Sequence, residues 1–227
     1  MRGVPQARQN RASGGFSWPH AAQLIVTIPS VGPARRALYD PAVVPEAKLE
    51  ETDAGLVPVS AGWFVVNARD ARWFHRERRH SVSLTGKTEW EADTLFPMLG
   101  VQLAVLEPGE PNSLYHWETE TEAFLVLSGE ALLVVEGQER PLRQWDFAHC
   151  PPKTEHVIVG AGDGPCVVLA MSSRENQAFG PYGEYVANEV AGRYGASPEE
   201  TTQDGEAVSA SWTESQPSRY REGWLPS

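Results

Sequence analysis

The chain has 227 residues, 41% hydrophobic and 22% charged, with 19 basic against 30 acidic residues and a net charge of -11. That length suits one globular domain with room for tails. No run of about 18 apolar residues exists to form a membrane-spanning helix, and the acidity argues against a nucleic-acid binder, whose affinity comes from clustered Lys and Arg.

Residues 1–36 contain five arginines and no acid, so the acidity belongs to the chain beyond Arg36. Gly14-Gly15, Pro19, Pro29 and Pro33 interrupt this front, and its apolar stretch, Leu24 to Ile28, is short and far from the terminus for a signal peptide. Residues 1–44 are read as an unstructured extension, or as sequence upstream of the true start, because ordered patterning begins near Pro45-Glu46-Ala47. Residues 45–98 are read as strands and loops packing on a barrel. Trp63 to Val66 is a short apolar run, and Arg69 to His80 is a mixed basic and aromatic stretch whose Asp70 and Glu77 favour a surface strand or loop over a nucleic-acid face.

From Leu99 the strand signal becomes regular. Leu99 to Leu106, Ser113 to Trp117, Ala123 to Leu127, Ala131 to Val135, Phe147 to Cys150, His156 to Val159 and Cys166 to Met171 alternate with turns such as Glu107-Pro108-Gly109-Glu110-Pro111 and Glu136-Gly137-Gln138. No helical period interrupts them, which predicts an all-β antiparallel sandwich or barrel and argues against a βαβ sheet. Residues 173–227 are read as short C-terminal helices and a flexible tail. Glu184 to Tyr194 with Gly195 as terminator is one helix, Ser197-Pro198-Glu199-Glu200 starts another, and the last two dozen or so residues form a mobile or loosely docked tail. Cys150 and Cys166 allow one bridge at most and are read as small buried thiols in a reducing, cytoplasmic setting.

Two segments hold residue types with chemistry in them. In Tyr115-His116-Trp117-Glu118, His116 and Glu118 share one strand face, and a tight turn over Thr119 to Thr121 brings Glu122 back beside them. In Cys150-Pro151-Pro152-Lys153-Thr154-Glu155-His156, a turn delivers His156 to the start of a strand. Two imidazoles with one or two carboxylates make a competent shell for a divalent transition metal. The alternative is a solvated acidic face over Glu118, Glu120 and Glu122, with His116 and His156 bonded to backbone, and periodicity alone leaves both open.

These segments resemble the cupin superfamily, specifically the small single-barrel bacterial cupins. Gly109, His116, Glu118, Glu122 and Gly129 fall on the family's first motif, with six residues in place of five between Gly109 and His116; Trp145, Pro151, Lys153, His156 and Gly160 fall on its second. Glu118 stands where the family has a second His, Trp145 and Lys153 where it has Gly, and Gly160 where it has Asn. The resemblance implies a double-stranded β-helix, or jelly-roll barrel, over residues 99–172. It implies metal ligands at His116, Glu122 and His156, with Glu118 either a fourth ligand or a hydrogen-bonding partner of a bound water or neighbouring ligand. Such a shell suits Fe, Mn or Zn. The frame gives His149 and Cys150 no ligand position, and His20, His75 and His80 have no partner pattern. The implied function is binding or transformation of a small molecule, with oxygenase or isomerase chemistry as the enzymatic options and no catalytic residue assigned. The alternative is a non-catalytic binding or sensing cupin with a structural or vestigial metal site; fold does not choose between them. The resemblance further implies a homodimer, with residues from about 60 to 85 as the exchanged or covering segment, while charge and the lack of a long apolar run predict no nucleic-acid or membrane partner.

Overall fold

Between Leu99 and Leu106, Ala104 and Leu106 point one way and Leu103 and Val105 the other, and all four are buried, so this strand is covered on both faces. The structure, a computed structural model, describes residues 45–60, 62–85, 99–173, 183–205, 208 and 213–227. In chain order the strands are β1 (Leu49–Thr52), β2 (Gly55–Pro58), β3 (Trp73–Arg76), β4 (Arg79–Ser83), β5 (Leu99–Leu106), β6 (His116–Glu118) and β7 (Glu122–Ser128). They continue as β8 (Glu130–Val135), β9 (Gln138–Arg143), β10 (Phe147–Cys150), β11 (His156–Ala161), β12 (Cys166–Ser173) and β13 (Gly183–Tyr185), then a short helix α1 (Glu189–Gly192) and β14 (Gln216–Ser218).

Two antiparallel sheets carry the fold, ordered β10-β7-β12-β5-β4-β3-β14 and β13-β6-β11-β8-β9, beside a β1-β2 ladder. Inward residues of the larger sheet, among them Leu106, Phe124, Val126 and Val168, meet Ala131, Leu133 and Ile158 of the smaller one. This is the nearly all-β jelly-roll architecture that the sequence predicts. The outer face of the larger sheet buries Trp73, Val82, Leu103 and Val105 under Tyr220, Trp224 and Leu225. The outer face of the smaller one buries Val134, Val157 and Val159 against Ala191 and Ala196.

Several elements differ from the sequence reading. Trp63 to Val66 forms no strand: Trp63 makes one isolated bridge to Glu46, and Val65 is 82% exposed. Polar β9 escapes a search for apolar runs because it is the exposed outer strand of its sheet, where Pro141 is tolerated. The stretch Glu184 to Tyr194 is not one helix. Its first residues pair with β6, and helix begins only after Asn188, whose side chain accepts from the Val190 and Ala191 N–H groups. Ser197 to Glu200 are not helical; the Ser197 hydroxyl instead accepts from the Asn188 N–H at 2.9 Å. The final residues are docked: β14 pairs with β3, the Trp224 ring stacks on His80 at 4.0 Å, and Arg219 pairs with Glu51 at 2.6 Å.

The segment from residue 71 to 83 extends the larger sheet within the same chain, through β4 pairing with β5. Cys150 and Cys166 are free and buried, and burial pushes their thiols up to about 12 and about 11. Among the described residues no helix is long and apolar enough to cross a membrane. The expected extension over residues 1–44, with His20, lies outside the described residues.

Candidate metal centre

The turn after β6 brings three elements to one point. Glu120, 2% exposed, accepts from the Ser173 hydroxyl at 2.6 Å, and Thr121 and Ser173 exchange further bonds, so the β6–β7 turn is pinned to the end of β12. Glu120 is therefore part of the scaffold, not of a solvated acidic face. With the turn fixed, Glu122 opens β7 opposite Ser172 on one side and Cys150 on the other. On the facing sheet, His116 of β6 lies directly opposite His156 of β11. The Pro151-Pro152-Lys153-Thr154 turn is tied back to β6 by the Lys153 N–H, which donates to the Glu118 carbonyl at 2.7 Å.

Lys153 holds φ at 68° and Trp145 at 73°, both left-handed. These are two positions where the family pattern has glycine, so the backbone conformation persists without the residue that adopts it at least cost. Gly160, in place of the family's Asn, is required by packing: a Cβ there would strike the Glu107 carbonyl, and its own N–H and C=O bond Glu110 and Gly109.

His116, Glu122 and His156 present donor atoms that all lie within 4.8 Å of one another. The Nδ1 atoms face backbone carbonyls, His116 to Leu114 at 2.6 Å and His156 to Thr154 at 2.9 Å. A carbonyl only accepts, so Nδ1 carries the proton of a neutral ring and Nε2 is left for the cluster. His156 Nε2 sits 2.8 Å from Glu122 Oε2, and His116 Nε2 lies 3.6 Å from the same oxygen and 3.5 Å from Glu118 Oε1. The Phe124 ring closes on His156 and the Tyr185 ring on His116.

The cluster attracts positive charge. Burial alone would lower His116, yet its hydrogen bonds to Glu118 and Glu122 push it up to about 10. Burial likewise opposes ionisation of Glu122, and the two imidazoles nevertheless draw it down to about 2. Glu118 Oε2 is shielded from solvent and has no hydrogen-bond partner. An orphaned carboxylate oxygen beside two backbone-oriented imidazoles and a second carboxylate fits a divalent cation.

Of the four sequence-predicted ligands, His116, Glu122 and His156 converge as one group, and Glu118 stands beside it through His116. His149 is exposed on β10, and His75 stacks on His80, within the outer-face contacts that reach Trp224. Tyr185 was legible only through the pairing of β13 with β6, and the Leu114 and Thr154 carbonyls carry no side-chain signal at all. A cleft of about 580 Å³ is lined by Glu130, Leu142, Gly160 and neighbours and includes none of the four.

Residues 102–172 match the family model for the Cupin domain. Among solved structures, a sugar phosphate isomerase from a cupin superfamily of Silicibacter pomeroyi is 27% identical, with 47% of this chain and 63% of that one covered and a TM-score of 0.38. A cupin-like protein of Thermotoga maritima is 20% identical over 56% of this chain and 90% of that one, with a TM-score of 0.42. The polyketide cyclase RemF of Streptomyces resistomycificus is 14% identical over 50% and 80%, with a TM-score of 0.41. The chain thus spans less than two thirds of the isomerase's length. No curated protein sequence matches. With both motifs on adjacent walls of a jelly-roll and the family model matched across them, residues 102–172 form a Cupin domain.

Proposed function

We propose that the barrel holds one divalent transition-metal ion, Fe, Mn or Zn, at His116, Glu122 and His156, and binds or transforms a small molecule beside it. The observation that carries this reading is the orientation of both imidazoles: each is fixed through Nδ1 by a backbone carbonyl with Nε2 directed at Glu122. An ion held by three such donors supplies Lewis acidity and open coordination positions. Glu118, with a free Oε2, is placed to complete the shell or to hold a water and move a proton at that oxygen. Phe124, packed on His156, restricts water on that side.

Elemental analysis of protein purified without added metal, beside His116→Ala and His156→Ala, tests the site. About one ion per chain, lost in both variants, is expected; unchanged stoichiometry in both contradicts the assignment. Oxygen uptake by the iron-loaded protein with phenolic, thiol or keto-acid compounds would assign oxygenase chemistry, and turnover without uptake would assign isomerisation.

A further inference from the structure

The interior of the barrel also contains a guanidinium without an anion. Trp73 and Val82 belong to the outer-face cluster, so by alternation Arg76 on β3 and Arg79 on β4 turn inward. They lie directly opposite one another in the β3–β4 register, where like charges repel. Burial first, then the repulsion from Arg76, push Arg79 down to about 9 against the attraction of Glu110. The carboxylate of Glu110 itself pairs with Arg78, at 3.7 Å.

Arg79 donates through Nη2 to a neutral acceptor, Gln102 Oε1, at 3.1 Å. Its Nε is shielded from solvent and has no hydrogen-bond partner. Among the described residues no carboxylate forms an ion pair with it. A shielded guanidinium in this state lacks the oxyanion that its fork of donors matches.

Its position relates it to the metal group. Gln102 is opposite Ala170, which is opposite Phe124, and Glu122 is one inward-facing position beyond Phe124. Two strands across and two residues along, the Cα atoms of Gln102 and Glu122 are separated by about 10 Å and about 7 Å in those directions.

We propose that Arg79, oriented by Gln102, anchors the oxyanion of a small acid, carboxylate or phosphate ester, whose other end reaches the metal group. This rests on the metal-dependent small-molecule reading above. Arginine suits the role because it offers two parallel N–H donors to two oxygens, which lysine does not.

The test is titration of the full chain, metal-free and zinc-loaded, with acetate and separately with inorganic phosphate, following the Arg79 Nε–H resonance by NMR and the unfolding temperature. A saturating shift of that resonance is expected with one or both anions and none with acetamide; stronger binding of acetate identifies a carboxylate, of phosphate a phosphate ester. Arg79→Gln is expected to weaken binding at least about tenfold, and Arg79→Lys to weaken it less. A shift that stays linear with both anions, or unchanged affinity in Arg79→Gln, overturns the proposal, and the wild-type resonance decides the matter even if that variant does not fold. Zinc uptake without saturable anion binding removes the anchor and leaves the metal reading. Saturable anion binding in a chain that takes up no zinc removes the metal reading and leaves the anchor.

Discussion

Where Trp73 packs under Tyr220 and Trp224, large rings meet rings, with centroids 5.7 and 5.1 Å from Trp73, and Trp73 itself is fully buried. Where His116, Glu122 and His156 meet, inward side chains are ionisable, each imidazole is held by a backbone carbonyl, and a neighbouring carboxylate oxygen has no partner. The first region gains from removing apolar area from water. The second carries the cost of desolvating charge, and that cost is offset only when a cation completes it. Stability and ligand chemistry therefore sit in different parts of one sheet pair, and substitutions should separate them.

The largest separation is expected at Trp73. Trp73→Ala should cost about 3–5 kcal/mol by urea denaturation, while metal content per folded chain stays as in the wild type. Loss of metal from the folded fraction would break the contrast. In the opposite direction, Glu118→Gln should lower metal affinity about 10–100-fold and leave the urea midpoint nearly unmoved. A chelator competition assay measures the first and denaturation the second.

Mild acid should act on the aromatic face. Burial first, then His75 and Arg221, hold His80 at about 4 against its ordinary 6.5. Between those values the unfolded chain binds more protons than the folded one, so stability rises with pH. The contribution of the neutral ring is whole above about pH 6.5 and is lost as the pH falls toward 4. Hydrogen exchange over residues 216–225 should accelerate across that window, and His80→Phe, which keeps a ring for Trp224, should flatten the response. The smallest effects are expected at the left-handed positions: Lys153→Gly and Trp145→Gly should each stabilise by about 0.5–1 kcal/mol, read from thermal unfolding.

The same contrast governs what could be read before the structure. Leu99 to Leu106 is a strand with the predicted bounds because its apolar residues answer to two buried layers, and Phe147 to Cys150 keeps its bounds by burying Ala148 and Cys150 on one face. His116, Glu118, Glu122 and His156 were legible because such types seldom turn inward without a reason. The C-terminal docking was not, because Tyr220 and Trp224 are isolated rings in a polar stretch and their partner Trp73 lies far away in sequence. Strand β13 was hidden for a similar reason: pairing with the open edge of β6 overrides the local helical pattern of Glu184 and Tyr185. The orienting carbonyls of Leu114 and Thr154 belong to the backbone, and the facing of Arg79 toward Gln102 depends on the β4–β5 register, which no local pattern encodes.

X-ray absorption at the edge of the bound metal is the most direct test of the centre. A shell with two imidazole nitrogens and carboxylate oxygen at about 2.0–2.2 Å is expected for the wild type, with no protein-bound metal edge in His156→Ala. A shell of oxygen alone, or one that His116→Ala and His156→Ala both leave unchanged, would contradict it.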